Sequence, residues 1–266
     1  MTTTPIYQLD AFTDAPFSGN PAAVCPLEAW LPDATMQAIA AENNLSETAF
    51  YVPEGDGYRL RWFTPTVEVP LCGHATLATA WLILKHQEPG RERVRFQTRS
   101  GPLEVTALDG GGLRMDLPAS PPTASAPPQA LLDALGGEPL EALSAGKILV
   151  RYGSEAEIRA LTPDMAALAP LTGEAGVIVT ALGEEEGVDF VSRYFAPWAG
   201  IPEDPVTGAA HCVLTPYWVA QLGRNPLQAH QVSQRGGRLR CTLQGDRVHI
   251  EGACVLVMEG RLHLPG

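Results

Sequence analysis

Fourteen consecutive residues, Leu71–Leu84 (LCGHATLATAWLIL), contain no Asp, Glu, Lys or Arg. A helix that is apolar on every face must be buried, because it has no side to offer to water. The stretch is too short to span a bilayer, which needs about 20 residues. The remaining chain therefore has to wrap it. A second copy of the pattern constrains the fold further. Arg61-Trp-Phe-Thr-Pro followed by Gly73 returns as Arg193-Tyr-Phe-Ala-Pro followed by Gly208, with the glycine 12 and 15 residues after the arginine. Each copy reads as strand, turn, glycine and small-residue helix.

Elements read from pattern surround these two helices. Ile6–Phe12, Ala22–Cys25, Glu47–Val52, Tyr58–Phe63, Val94–Thr98, Leu103–Leu108 and Leu113–Leu117 have the alternation or β-rich composition of strands. Asp109-Gly-Gly-Gly joins the last two as a hairpin. Asp33–Glu42 has a helical face. Pro118–Pro128 holds five prolines in eleven residues and reads as a semi-rigid linker. After it, Gln129–Leu135, Thr162–Leu168 (Thr162 as cap, Pro163 first) and Gly208–Leu222 read as helices. A kink is expected at Pro216. Lys147–Tyr152, Val177–Leu182, Val188–Phe195, Val232–Arg235, Arg238–Gln244, Arg247–Glu251, Val255–Met258 and Leu262–Leu264 read as strands. Regular strand–helix alternation is missing, so a Rossmann sheet is disfavoured. The expected fold class is α/β in the α+β sense: two similar domains, each a mostly antiparallel sheet or barrel around a central helix. The domains are residues 1–117, a linker 118–128, and residues 129–266, whose last strand can return to the first domain. A pseudo-twofold would bring both helix N-termini toward an interdomain cleft.

Composition excludes several classes of partner. The 266 residues carry a net charge of −12 and are 45% hydrophobic. Nucleic acid and anionic membrane both need a basic face, so neither is expected. The five cysteines form no CxxC pair, which argues against a disulfide framework or a structural zinc site. The N-terminus has no basic region followed by an apolar run, and a cytoplasmic protein is expected.

Chemistry is expected at the two helix starts. The first turn of a helix offers unpaired N–H groups and a positive dipole end, and glycine lets a ligand reach them closely. A small carboxylate substrate suits such a site, with Gly73, Thr207, Gly208 and Ala209 as contacts. His74 and Asp204 flank the turns. A lone His or Asp there is usually a cap, and a lone Glu before a strand is usually solvated. Glu47 differs because the sequence after it is apolar. A carboxyl drawn into such surroundings stays protonated to higher pH, as a general acid/base requires. Cys72 sits where a helix dipole lowers a thiol pKa, but residues two apart on a helix do not face each other. A Cys72–His74 nucleophile pair is therefore not expected. A two-thiol racemase would need a second cysteine at Thr207.

Phe17-Ser-Gly-Asn-Pro-Ala-Ala-Val, Asn44-Leu-Ser-Glu-Thr-Ala-Phe, Arg61-Trp-Phe-Thr-Pro, Leu71-Cys-Gly-His-Ala-Thr and Glu203-Asp-Pro-Val-Thr-Gly-Ala-Ala-His together resemble the PhzF-like phenazine-biosynthesis isomerase family over essentially the whole chain. The resemblance implies a diaminopimelate-epimerase-type fold, a homodimer, no cofactor and no metal. In the phenazine enzyme a Glu moves a proton within trans-2,3-dihydro-3-hydroxyanthranilate. That Glu falls on Glu47, the helix-start His on His74, the active-site Asp on Asp204 and the adjacent glycine on Gly73. Asn20, in the first motif, joins the candidate substrate contacts. The family often has Ser where this chain has Ala209. The expected activity is a cofactor-independent isomerisation of a small carboxylate. An amino-acid epimerase using Cys72 and a non-catalytic binding protein are the alternatives.

Overall fold

The structure, a computed structural model, describes residues 2–172 and 176–264. Chain contacts divide it into two units, Met1–Asp116 with Glu251–Gly266, and Leu117–Ile250. The C-terminal strand Cys254–Leu264 pairs antiparallel with Thr2–Ala11 and so belongs to the first unit. No helix among the described residues is long and apolar enough to cross a membrane.

In the first unit, Thr2–Ala11 pairs antiparallel with Asn20–Pro26, which runs parallel to Glu47–Glu54. Gly57–Phe63 follows antiparallel, flanked by the two-residue strand Glu68–Val69, and runs parallel to Arg93–Thr98. Gly101–Ala107 and Leu113–Pro118 complete the sheet in antiparallel register. One face is covered by helix Asp33–Asn43, whose Met36, Ile39 and Ala40 pack on Phe50, Val52 and Phe63. The central helix packs on the strands Thr2–Ala11, Asn20–Pro26 and Glu47–Glu54. It runs Gly73–Trp81 and then changes to π-type hydrogen bonding over Leu82–Gln87.

The second unit repeats this order. Ile148–Arg151 runs parallel to Val177–Leu182, then Phe190–Ala196 antiparallel, flanked by short Ile201–Asp204. Phe190–Ala196 runs parallel to Leu227–Gln231, and Gly237–Gln244 follows antiparallel. The sequence echo is thus a repeat of pairing topology as well as of motif. The central helix is Gly208–Leu222, continuous through Pro216 and closed by left-handed Gly223.

Three expectations are corrected. The proline-rich segment is not a free linker. Its non-proline amides bond: Ala119 to the Asp246 carbonyl, Ser120 to the Cys212 carbonyl, and Thr123–Ala124 pairs with Leu143–Ser144. The strand expected at Val232–Arg235 lies instead at Leu227–Gln231. The helix expected from Thr162 starts at Met165, because the Asp164 carboxylate, not Thr162, accepts the Ala166 and Ala167 amides. Helix Glu155–Ala160, capped by Ser154, and strand Glu141–Ser144 complete the second unit.

Candidate active site

The turn before each central helix is built on the same ion pair. Arg61 Nε and Nη2 hold the two oxygens of Glu68 at 2.8 and 2.8 Å, with the guanidinium 5.1 Å from the Phe63 ring centroid. Arg193 holds Glu203 at 2.7 and 2.9 Å, with its guanidinium 5.0 Å from the Phe195 centroid. Bidentate arginine–carboxylate pairing fixes both distance and orientation. In each case it ties the short flanking strand to the long one just before the chain turns into the helix. The repeated Arg-x-Phe of the sequence is this clamp.

In the first unit, parallel pairing brings Asn20 and Glu47 to the same end of two adjacent strands, with Ala22 opposite Glu47. Gly19 makes the preceding turn possible. Its φ is +65°, and a Cβ there would lie 2.2 Å from the Ala11 carbonyl oxygen. The turn into Glu47 uses left-handed Asn44 (φ 48°), and the Asn43 amide donates to Thr48 Oγ1 at 3.0 Å. His74, in the first turn of the helix, is only 3% exposed. Its Nε2 lies 3.2 Å from Glu47 Oε2, a side chain 12% exposed, and its Nδ1 lies 3.0 Å from the Asn20 amide nitrogen. Burial pushes the His74 pKa down to about 3, against a smaller upward pull from a hydrogen bond to the Pro21 backbone. The ring is therefore a neutral imidazole at physiological pH. A neutral ring carries one proton, on either Nδ1 beside the Asn20 amide or Nε2 beside the Glu47 carboxyl.

Cys72 corrects a spacing argument. Its Sγ is 3.5 Å from His74 Nδ1. Residues two apart fail to meet only when both are helical. Cys72 is the residue before the helix, with extended backbone at φ −143° and ψ 114°, which aims its side chain back at the ring. Thiol, imidazole and carboxyl thus share one buried corner.

The second unit's turn is cross-braced. Asp204 Oδ2 accepts the Thr207 hydroxyl at 2.5 Å. Gln231, fully buried, accepts the Thr207 amide at 2.8 Å and donates to the Asp204 carbonyl at 2.7 Å. His211 Nδ1 donates to the Thr207 carbonyl at 2.8 Å, and burial holds its pKa at about 4. Thr207, the counterpart of a second racemase thiol, spends its hydroxyl on Asp204. Ala209 is half-buried in the first helical turn. Cys212 lies in the helix body, where burial pushes its thiol pKa up to about 12. The sequence reading missed Gln231, which lies 24 residues from Thr207. Its only local signal is a glutamine in an alternating buried position, and the contact is set by the pairing of Ser192 with Gln231.

The geometry defines a buried carboxyl–imidazole pair beside a helix N-terminus, suited to proton transfer without a charged histidine. The profile of the PhzC-PhzF family, phenazine biosynthesis-like proteins, matches residues 9–260, and the chain belongs to that family. A Pseudomonas aeruginosa protein named as an uncharacterized isomerase is 53% identical over 259 residues, covering 97% of this chain and 98% of the relative. The crystal structure of a PhzF-family protein from Enterococcus faecalis is 46% identical and has a TM-score of 0.94, covering 99% of this chain and 100% of that one. The chain is an isomerase of this family. The crystal structure of a probable proline racemase from Agrobacterium radiobacter, 12% identical with a TM-score of 0.64 over 98% of this chain and 93% of that one, shares the fold, which is diaminopimelate-epimerase-like.

Proposed function

We propose that the protein is a cofactor-independent isomerase in which Glu47 removes a proton from an activated carbon of a small carboxylate and returns it elsewhere on the same molecule. The observation that carries this reading is the Glu47–His74 contact, 3.2 Å between Oε2 and Nε2 in a corner where both side chains are mostly removed from water. A carboxyl is the base assigned there because burial lowers the affinity of the imidazole for a proton. His74 packs against Glu47 and, in its Nε2–H tautomer, offers that proton to charge developing on the substrate. Asn20 positions the ring through Nδ1. The N–H groups of the first turn, at Gly73 and His74, are the binding site assigned to the substrate carboxylate. To the second unit's turn, Asp204 and Thr207 through Ala209, we assign polar substrate contacts rather than proton transfer, because Asp204 and Thr207 already bond to each other. A dihydrohydroxyanthranilate-like acid is the first substrate class to test, and a homodimer is the expected assembly.

The test is a screen of cyclic amino acids and dihydroaromatic acids for deuterium uptake and isomerisation in D2O, read by mass spectrometry. Turnover of one such acid by the native protein, lost in Glu47→Gln with near-ultraviolet circular dichroism unchanged, is the expected outcome. Near-native turnover by that variant contradicts the reading.

A further inference from the structure

Cys72 has no task in this proton transfer, yet its sulfur is packed against the same imidazole as the base. One ligand atom each of Glu47, Cys72 and His74 lie within 4.8 Å of one another. All three stand on fixed backbone: the first residue of a strand, the residue before a helix, and that helix's first turn. A tetrahedral zinc ion binds imidazole nitrogen at about 2.0–2.1 Å, carboxylate oxygen at about 2.0–2.2 Å and thiolate sulfur at about 2.3 Å. Tetrahedral angles then separate nitrogen from oxygen by about 3.4 Å and nitrogen from sulfur by about 3.6 Å. His74 Nε2 and Glu47 Oε2 are already 3.2 Å apart. The sulfur lies 3.5 Å from the other ring nitrogen, Nδ1. Ligation through Nε2 therefore requires the Cys72 side chain to move from the Nδ1 edge of the ring toward Nε2. Asn20 completes the arrangement. With its amide turned so that oxygen faces Nδ1, it accepts the Nδ1–H and fixes Nε2 as the metal-binding nitrogen, the outer-shell contact that histidine ligands regularly have.

We propose that Glu47, Cys72 and His74 form a capture site for a thiophilic divalent cation of the zinc type, and that its occupancy inhibits the enzyme. Binding releases the Cys72 thiol proton to solvent and forms sulfur, nitrogen and oxygen bonds to the ion, with water in the fourth position. The ion takes the Glu47 lone pair that would accept the substrate proton. The binding half of the proposal stands on geometry alone. The inhibition half rests on the reading of Glu47 as the base.

Cobalt(II) is the probe, titrated into full-length protein free of any histidine tag. One ion per chain with a near-ultraviolet thiolate-to-cobalt band, displaced by zinc, is the expected result. Cys72→Ala should lose the band, and Asn20→Ala should weaken affinity about 10- to 100-fold, the range for an outer-shell partner. Cys72→Ser serves as a second variant if the alanine form misfolds. No band in the native protein, or the same band in both Cys72 variants, overturns the site. Zinc should also suppress deuterium exchange in the native protein and fail to do so in Cys72→Ala. Zinc that binds through Cys72 while exchange continues undiminished leaves the metal site standing and contradicts Glu47 as the base.

Discussion

The two turns that precede the two central helices share a frame and differ in what they carry. Both use an Arg–Glu clamp, a stacked phenylalanine and a glycine at the helix start. In the first unit the frame presents a carboxyl against a buried imidazole and a thiol. In the second, the acid is braced by Thr207, and Gln231 spans the turn from Asp204 to Thr207. A repeat can thus preserve the element that fixes a helix start while one copy carries a buried carboxyl–imidazole pair and the other a braced set of polar groups. The distinction lies largely in a few side chains, because the strand order around the two turns is the same.

That contrast can be broken by experiment. Glu47→Gln should lower turnover by about 10²- to 10⁴-fold, the usual contribution of a general acid/base, with the melting temperature little changed. Equal loss from the second turn would erase the assigned division. Gln231→Leu should act through structure. It strands the Thr207 amide and the Asp204 carbonyl, at a cost of about 2–4 kcal/mol in denaturant unfolding, and it should raise KM more than it lowers kcat. Gln231→Glu, which keeps the acceptor, should recover part of both effects.

The clamps should differ in a graded way. Arg193→Ala should destabilise by about 2–3 kcal/mol, less than a fully buried pair because both partners keep some exposure. Arg193 also donates to the Ile158 and Leu161 carbonyls at 3.0 and 2.8 Å, whereas the third contact of Arg61 is the exposed Asp33. Arg61→Ala should therefore cost less. Equal losses would show that the carbonyl contacts contribute nothing.

Acid stability should report both buried histidines. Their folded pKa values, about 3 and about 4, lie below that of the unfolded chain. Below about pH 6.5 the unfolded state binds protons that the native rings refuse, so stability falls as pH drops. His211→Gln should flatten the slope of unfolding free energy between pH 6 and 4.5. The smallest effect is expected of Cys72→Ala, which should keep turnover within a few-fold. A large loss there would favour the thiol epimerase alternative.

Much of this was legible before the structure. The second central helix is readable from end to end, since glycine opens it, glycine closes it, and no Asp, Glu, Lys or Arg lies between. The first is readable only to Trp81, because the same apolar composition serves α and π hydrogen bonding. The meeting of Glu47 with His74 is signalled by their positions at turns, and Asp204 is proposed on the same ground. Gln231 is not signalled, because its partners are set by a strand register that no local pattern encodes. The Cys72 contact was hidden by a helical spacing rule applied one residue before the helix begins. The proline-rich segment misled for a related reason. Proline removes its own donor but leaves Ala119 and Ser120 free to bond.

The most direct test compares Glu47→Gln and Asp204→Asn in one deuterium-exchange assay on the same substrate, with kcat and KM measured separately. The account predicts that Glu47→Gln loses at least about 100-fold in kcat with KM nearly unchanged, while Asp204→Asn changes mainly KM. Exchange that survives in Glu47→Gln and disappears in Asp204→Asn would contradict it, and would move the proton-transfer group to the second turn.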